Sequence, residues 1–88
     1  MKTAKQLERY FKGSANHHRI NILFLVSKSD GVTLEDISTD LNTSLKTISG
    51  HTHKLVNAGL LNKKYQGRNV IHSLSPYGER FVFFLKSF

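Results

Sequence analysis

Apolar residues along the chain fall into helical stripes, broken once by a pair of alternating segments. Leu7, Tyr10 and Phe11 at i, i+3 and i+4 predict a short amphipathic helix over residues 3–12, ended by Gly13 and Ser14. Asn16 is placed to cap a second helix running to about Lys28. Its apolar positions (Ile20, Leu23 and Phe24, flanked by Ile22, Leu25 and Val26) leave little polar circumference, which predicts burial on most sides. Asp30-Gly31 makes a turn. Thr33 caps a third helix, with Asp36 in a capping-box variant and Leu34, Ile37 and Leu41 on the inner face. Asn42-Thr43 forms a tight turn, and Ser44 starts a fourth helix. There Leu45, Ile48, Thr52, Leu55 and Val56 share one side at roughly 100° per residue. Lys46, Gly50, His53, Lys54 and Asn57 fall opposite, with Thr47, Ser49 and His51 on the flanks, and Gly59 caps the end. Leu60–Tyr65 and Asn69–Leu74 read as two short strands around a tip of Gln66-Gly67-Arg68. Ser75 caps and Pro76 opens a last helix, along which Tyr77, Phe81, Phe84, Leu85 and Phe88 form one stripe with Val82 and Phe83 outside it.

These elements predict a mainly α fold with a small β-hairpin, ordered as a winged helix-turn-helix. The whole of residues 1–88 forms one domain, with the helix-turn-helix at about 33–58, the wing at about 60–74 and a C-terminal helix at about 76–88. That order of elements places one helix in the DNA major groove. Eighty-eight residues lie near the lower limit for a single hydrophobic core, and pairing of two chains would relieve that by burying more apolar surface.

Charge sharpens the picture. The net charge is +7, and the bases are unevenly placed. Residues 1–28 hold six bases and one acid, residues 29–45 four acids and no base, and residues 46–88 seven bases and one acid. Bases therefore resume where the fourth helix and the wing begin, pointing to a polyanionic partner. Glu35 and Asp36 also favour the N-terminus of the third helix.

The chain has no cysteine, which excludes disulfides and thiolate metal sites and fits a cytoplasmic protein. No apolar run approaches the roughly 20 residues of a membrane span. A metal site is not expected. His51 and His53 are two apart on a helix, and His17 and His18 are adjacent, so neither pair is spaced to chelate; His72 is expected to face solvent. No cofactor motif or catalytic constellation is visible, and an enzyme is not expected.

Several segments resemble winged-helix repressors of the ArsR type. Ala15-Asn-His-His-Arg-Ile-Asn-Ile-Leu is similar to that family's Ala-Asp-Pro-Thr-Arg-Leu-Arg-Ile-Leu, and Ser44-Leu-Lys-Thr-Ile-Ser-Gly-His-Thr-His-Lys-Leu to its Ser-Gln-Ser-Thr-Val-Ser-Arg-His-Leu-Lys-Val-Leu. Ala58-Gly-Leu-Leu and Gln66-Gly-Arg68 resemble the Ala-Gly-Leu-Val and Glu-Gly-Arg of the wing. Ser75-Pro-Tyr-Gly-Glu79 is similar to the opening of the last helix in MarR-type proteins. The likeness spans residues 15–79. Gly50 stands where the family usually has Arg, Thr52 replaces an apolar residue, and the metal-sensing cysteines are missing. The resemblance implies the fold, binding to double-stranded DNA and a homodimer built on the first and last helices, without metal sensing.

Candidate DNA contacts are Ser44, Lys46, Thr47, His51 and Lys54 on the fourth helix, and Lys63, Lys64, Arg68 and Asn69 on the wing. Lys46 and Thr47 lie early in the helix, where Lys can meet guanine acceptors and Thr a thymine methyl. Ser44 can offer its hydroxyl to a phosphate. Candidate dimer contacts are Leu7, Tyr10, Phe11, Tyr77, Phe81, Phe84, Leu85 and Phe88. The expected function is a sequence-specific transcriptional regulator, a homodimeric repressor. The rival reading is a protein-interaction module using the aromatic last helix, with only weak non-specific DNA affinity.

Overall fold

The computed structural model describes residues 1–88 and carries five helices and a three-stranded sheet. The helices are α1 (Ala4–Ser14), α2 (His17–Lys28), α3 (Leu34–Asp40), α4 (Leu45–Asn57) and α5 (Pro76–Lys86). The strands are β1 (Val32–Thr33), β2 (Leu61–Gln66) and β3 (Asn69–Leu74). A polar side chain caps every helix start: Thr3, Asn16, Thr33, Ser44 and Ser75 each accept a backbone N–H of the first turn. Such a cap contributes about 1 kcal/mol, because it satisfies a donor that the helix itself leaves unpaired. Thr33 and Asp36 form the reciprocal capping box despite the shorter acid, with Thr33 N–H donating to Asp36 Oδ2 at 3.4 Å. Thr3 stands outside α1 as its cap, and the helix runs on through Gly13 to Ser14, two residues beyond the predicted end.

The end of α4 closes as the sequence predicts. Gly59 takes φ +84°. Its N–H donates to the Val56 carbonyl and that of Leu60 to the Leu55 carbonyl, both at 3.0 Å. This is a Schellman closure, and it seats Leu60 in the core. Asn42 turns the chain between α3 and α4 at φ +49°. The hairpin tip is tighter than predicted, since Gln66 pairs with Asn69 and only Gly67 and Arg68 form the loop.

Ile22, Leu23, Ile37, Ile48, Leu55 and Leu60 are fully buried at the centre, joined by Val26, Leu61 and Val82. Four expectations are corrected. Leu45 is 44% exposed, because it belongs to a first turn of α4 (Ser44–Thr47) that is solvent-facing throughout. Val82, not the aromatic stripe, anchors α5 in the core. The hairpin gains a third strand, β1, which pairs antiparallel with β3 and makes β3 central in the order β1-β3-β2. His72 is therefore 2% exposed and not solvent-facing: it pairs with Val32 on one side and Lys63 on the other, and shares a hollow with Leu34, Thr52 and Val56. Buried Thr52 is accommodated because its hydroxyl donates to the Ser49 carbonyl at 3.1 Å.

Close packing fixes α5. A Cβ on Gly78 would fall 2.0 Å from the Leu60 carbonyl oxygen, so only glycine lets α5 lie against the α4–β2 connection. Gly78→Ala is expected to cost about 3 kcal/mol, at the upper end of overpacking penalties. A Cβ on Gly50 would meet nothing within 4 Å, and Gly50→Ala should gain about 1 kcal/mol of helix propensity. Urea unfolding of both variants checks this opposite pair of signs.

Burial pushes the His72 imidazole below the ordinary value of 6.5, outweighing a Val32 backbone hydrogen bond, and Lys63 adds to the depression. The unfolded chain then takes up the proton first, so stability is present above about pH 6.5 and is lost as pH falls through the lower folded value. Thermal unfolding across pH 7 to 5 should show that fall, and His72→Met should flatten it; an unchanged slope would exclude His72 as its source.

Candidate nucleic-acid interface

Helix α4 exists as a separate rod because Ser44 stops the backbone of the preceding turn from continuing helically. Its hydroxyl oxygen accepts the Thr47 N–H at 3.2 Å and donates to Thr47 Oγ1 at 2.8 Å. That hydroxyl is thus committed to the cap, leaving a bound phosphate the neighbouring backbone more than the side chain. Lys46, Thr47 and Lys54 are exposed along the outer side of α4, as Ile48, Thr52 and Leu55 bury the inner side. On the wing, Lys63, Lys64, Arg68 and Asn69 are exposed. Gly67 at φ +63° turns the hairpin so that Arg68 occupies its tip.

His51 departs from the other candidates. It is half-buried and turned toward α2, where its Nδ1 accepts from Arg19 Nε at 3.2 Å and its ring stacks on His18 at 5.3 Å between centroids. The His17 and His18 rings lie 4.1 Å apart. No group of three or more His, Asp or Glu side chains is arranged to hold a metal ion. Arg19 also donates through Nη1 to the Gly13 carbonyl at 3.2 Å, so it ties the end of α1 and the start of α2 to α4. Burial pushes the His51 imidazole below 6.5, and the charges of Arg19, His18, His17 and Lys54 push it the same way. The neutral ring is what leaves Nδ1 free to accept.

Sequence reasoning missed Arg19 as an organiser of α4, since its partners are 6 and 32 residues away. It also missed Tyr65, 69% exposed on the wing beneath the Lys63 ammonium. Strand β2 does not alternate, being exposed from Asn62 to Gln66, so no periodic signal in the sequence pointed to Tyr65.

The candidate dimer residues divide. Leu7, Phe11, Tyr77, Phe84 and Phe88 are exposed, Phe81 and Leu85 half-buried, and Tyr10, at 7% exposure, belongs to the core. Helices α1 and α5 bound an apolar groove of about 620 Å³ with Leu60 in its lining and Lys2 and Arg80 among its polar groups. Phe11 packs edge-on against Phe81 at 5.4 Å and Phe84 at 6.4 Å. Phe83, placed outside the stripe, is 78% exposed.

Five helices, a tight turn before an exposed helix and a basic hairpin behind it define a winged helix-turn-helix DNA-binding domain. Residues 16–63 match the model of the bacterial regulatory protein ArsR family, and the chain belongs to that family of transcriptional regulators. Solved structures agree on the fold. A homodimeric winged helix-turn-helix DNA-binding domain from Mycobacterium bovis superimposes with TM-score 0.86 at 24% identity, covering 94% of this chain and 77% of its own. HlyU from Vibrio cholerae gives 0.87 at 24% identity, covering 96% and 91%. A MarR protein from Peptoclostridium difficile gives 0.80 at 17% identity, covering 89% and 53%. No curated protein matches the chain. No helix is long and apolar enough to cross a membrane.

Removing the guanidinium should release His51. In Arg19→Gln, the His51 titration midpoint followed by NMR is expected to rise toward 6.5, because one of its depressing charges is gone. An unmoved midpoint would show that the Arg19–His51 contact does not govern the ring.

Proposed function

We propose that the chain is a homodimeric, sequence-specific repressor that reads DNA with the first turns of α4 and grips the backbone with its wing. One observation carries the reading. Lys46, Lys54, Lys63, Lys64 and Arg68 are all exposed, and none is in an ion pair; the molecule's only salt bridge joins Glu8 and Lys12. Cations held on two adjacent elements without protein counter-charges are matched by a phosphate backbone, whose release of counterions then supplies much of the affinity. Lys46 and Thr47 carry the base reading, since a recognition helix meets base edges with its N-terminal residues.

Dimerisation is supported by the exposed apolar faces of α1 and α5, which a second copy would cover. Two-fold pairing would set two α4 helices about 34 Å apart, one turn of DNA. A dimer bound over such a site blocks a promoter by occupying it. Gly50, open on the outer side of α4, is the feature that favours the rival interaction module, because it thins the reading surface.

Selection from a random duplex pool at moderate salt tests the proposal. The expected result is a two-fold-symmetric motif with half-sites one turn apart; no enrichment by folded protein would leave the interaction module. Lys46→Ala should alter the selected motif. Arg68→Ala should weaken every sequence alike and lower the salt slope by about 1. In light scattering, Phe84→Glu should yield a folded monomer, and a persisting dimer would remove α5 from the interface.

A further inference from the structure

A second basic surface adjoins the groove-and-wing reading and shares Lys54 with it. Between α1, the start of α2 and the outer end of α4 is an open cleft of about 400 Å³, lined by Arg9, Lys12, Arg19, Lys54 and Asn57, with Gly13 and Ala58 completing it. Four cations from three elements meet there and no acid lines the space. Helix packing brings them together. A Cβ on Gly13 would fall 2.3 Å from that of Ala58, so α1 approaches α4 at backbone distance and carries Arg9 and Lys12 in beside Lys54. Lys5, Arg9 and Lys12, at i, i+4 and i+7, continue the charge along one stripe of α1.

The cleft is also partly pre-organised. Arg19 is held by the Gly13 carbonyl and His51 Nδ1, which leaves its second terminal nitrogen without a protein partner. A guanidinium fixed in this way loses little freedom when it meets an oxyanion. Lys12 is balanced only by Glu8 at 3.6 Å, with the two side chains 77% and 54% exposed. Solvent screens such a pair, so it yields readily to a stronger anion.

We propose that this cleft is a phosphate-binding site, in which Arg9, Arg19 and Lys54 hold the oxyanion and Lys12 and Asn57 border it. Its open sides suit a backbone phosphate of a DNA duplex flanking the groove that α4 enters. A free polyphosphate presents the same chemistry. The duplex source rests on the groove reading above; the soluble source does not.

The test compares wild type with the double variant Arg9→Ala/Lys12→Ala, using Lys28→Ala at the far end of α2 as the charge control. One probe is the selected duplex over a salt series. The other is inorganic tripolyphosphate, followed by the amide NMR shifts of Arg9, Lys54 and Asn57. If the cleft holds duplex backbone, the double variant keeps the selected motif but its salt slope falls by roughly 1, for the one phosphate that Arg9 helps to hold, and Lys28→Ala leaves the slope unchanged. If the ligand is soluble, tripolyphosphate shifts the cleft amides in wild type and not in the double variant. Wild type that ignores the duplex yet binds tripolyphosphate in the cleft would sink the groove reading and uphold this one. The proposal is overturned if neither probe separates the double variant from wild type, or if Lys28→Ala loses as much per charge removed. Should the double variant fail to fold, Asn57→Asp sets a carboxylate in the cleft and must reproduce the loss.

Discussion

Two carbonyls just past the end of α4 and an N–H in the first turn of α5 meet on one residue. Ser75 donates its hydroxyl to the Gly59 carbonyl at 2.6 Å and its N–H to the Leu60 carbonyl at 3.1 Å, and its Oγ accepts the Gly78 N–H at 2.9 Å. One buried side chain thereby joins the exit of α4, the base of the wing and the cap of the last helix. The relative angles of α4, the wing and α5 all pass through this junction. It is dense, since Leu60 is fully buried and Gly78 admits no side-chain carbon. A hydroxyl satisfied on both its donor and acceptor sides in such a place specifies geometry as well as adding stability, because any rearrangement would strand a buried polar group.

Around that junction the molecule separates its charges. The acids Glu35, Asp36 and Asp40 are exposed on α3, where Asp36 closes a capping box and the first-turn charges complement the helix dipole. The bases on α4 and the wing form no ion pair within the molecule. An exposed cation costs little in water, so this imbalance is tolerated by the folded chain and realised only against a polyanion. Arg19 is the exception. It is engaged inside the molecule, bracing α4 from behind through a histidine kept neutral by its surroundings.

Gly50 and Thr52 mark the outer and inner sides of α4. Thr52 occupies the inner side and returns its hydroxyl to the helix backbone, so the departure from an apolar residue leaves no donor stranded. Gly50 occupies the outer side, where a side-chain carbon would meet nothing within 4 Å. The cations of the outer surface are thus Lys46 at one end and Lys54 at the other, with Gly50 between them.

The sequence by itself determined the five helices, four of their caps, the turn at Asn42, the closure at Gly59 and the position of the wing. These depend on hydrogen bonds and periodicities that act within about four residues, so the local order of residue types is enough to specify them. Exposure of Lys46 followed from the helical periodicity, whereas Lys63 and Lys64, adjacent on β2, are both exposed, which strand alternation does not predict. Only the tertiary structure decided that His72 is buried, because that needed β1 to pair with β3 from the other side of α3 and α4. Only it decided that Val82 faces inward, since Gly78 had first to meet the Leu60 carbonyl. The Arg19–His51 contact and the basic cleft belong to the same class. Each joins residues tens of positions apart, and their meeting is set by how helices pack, which no local pattern encodes.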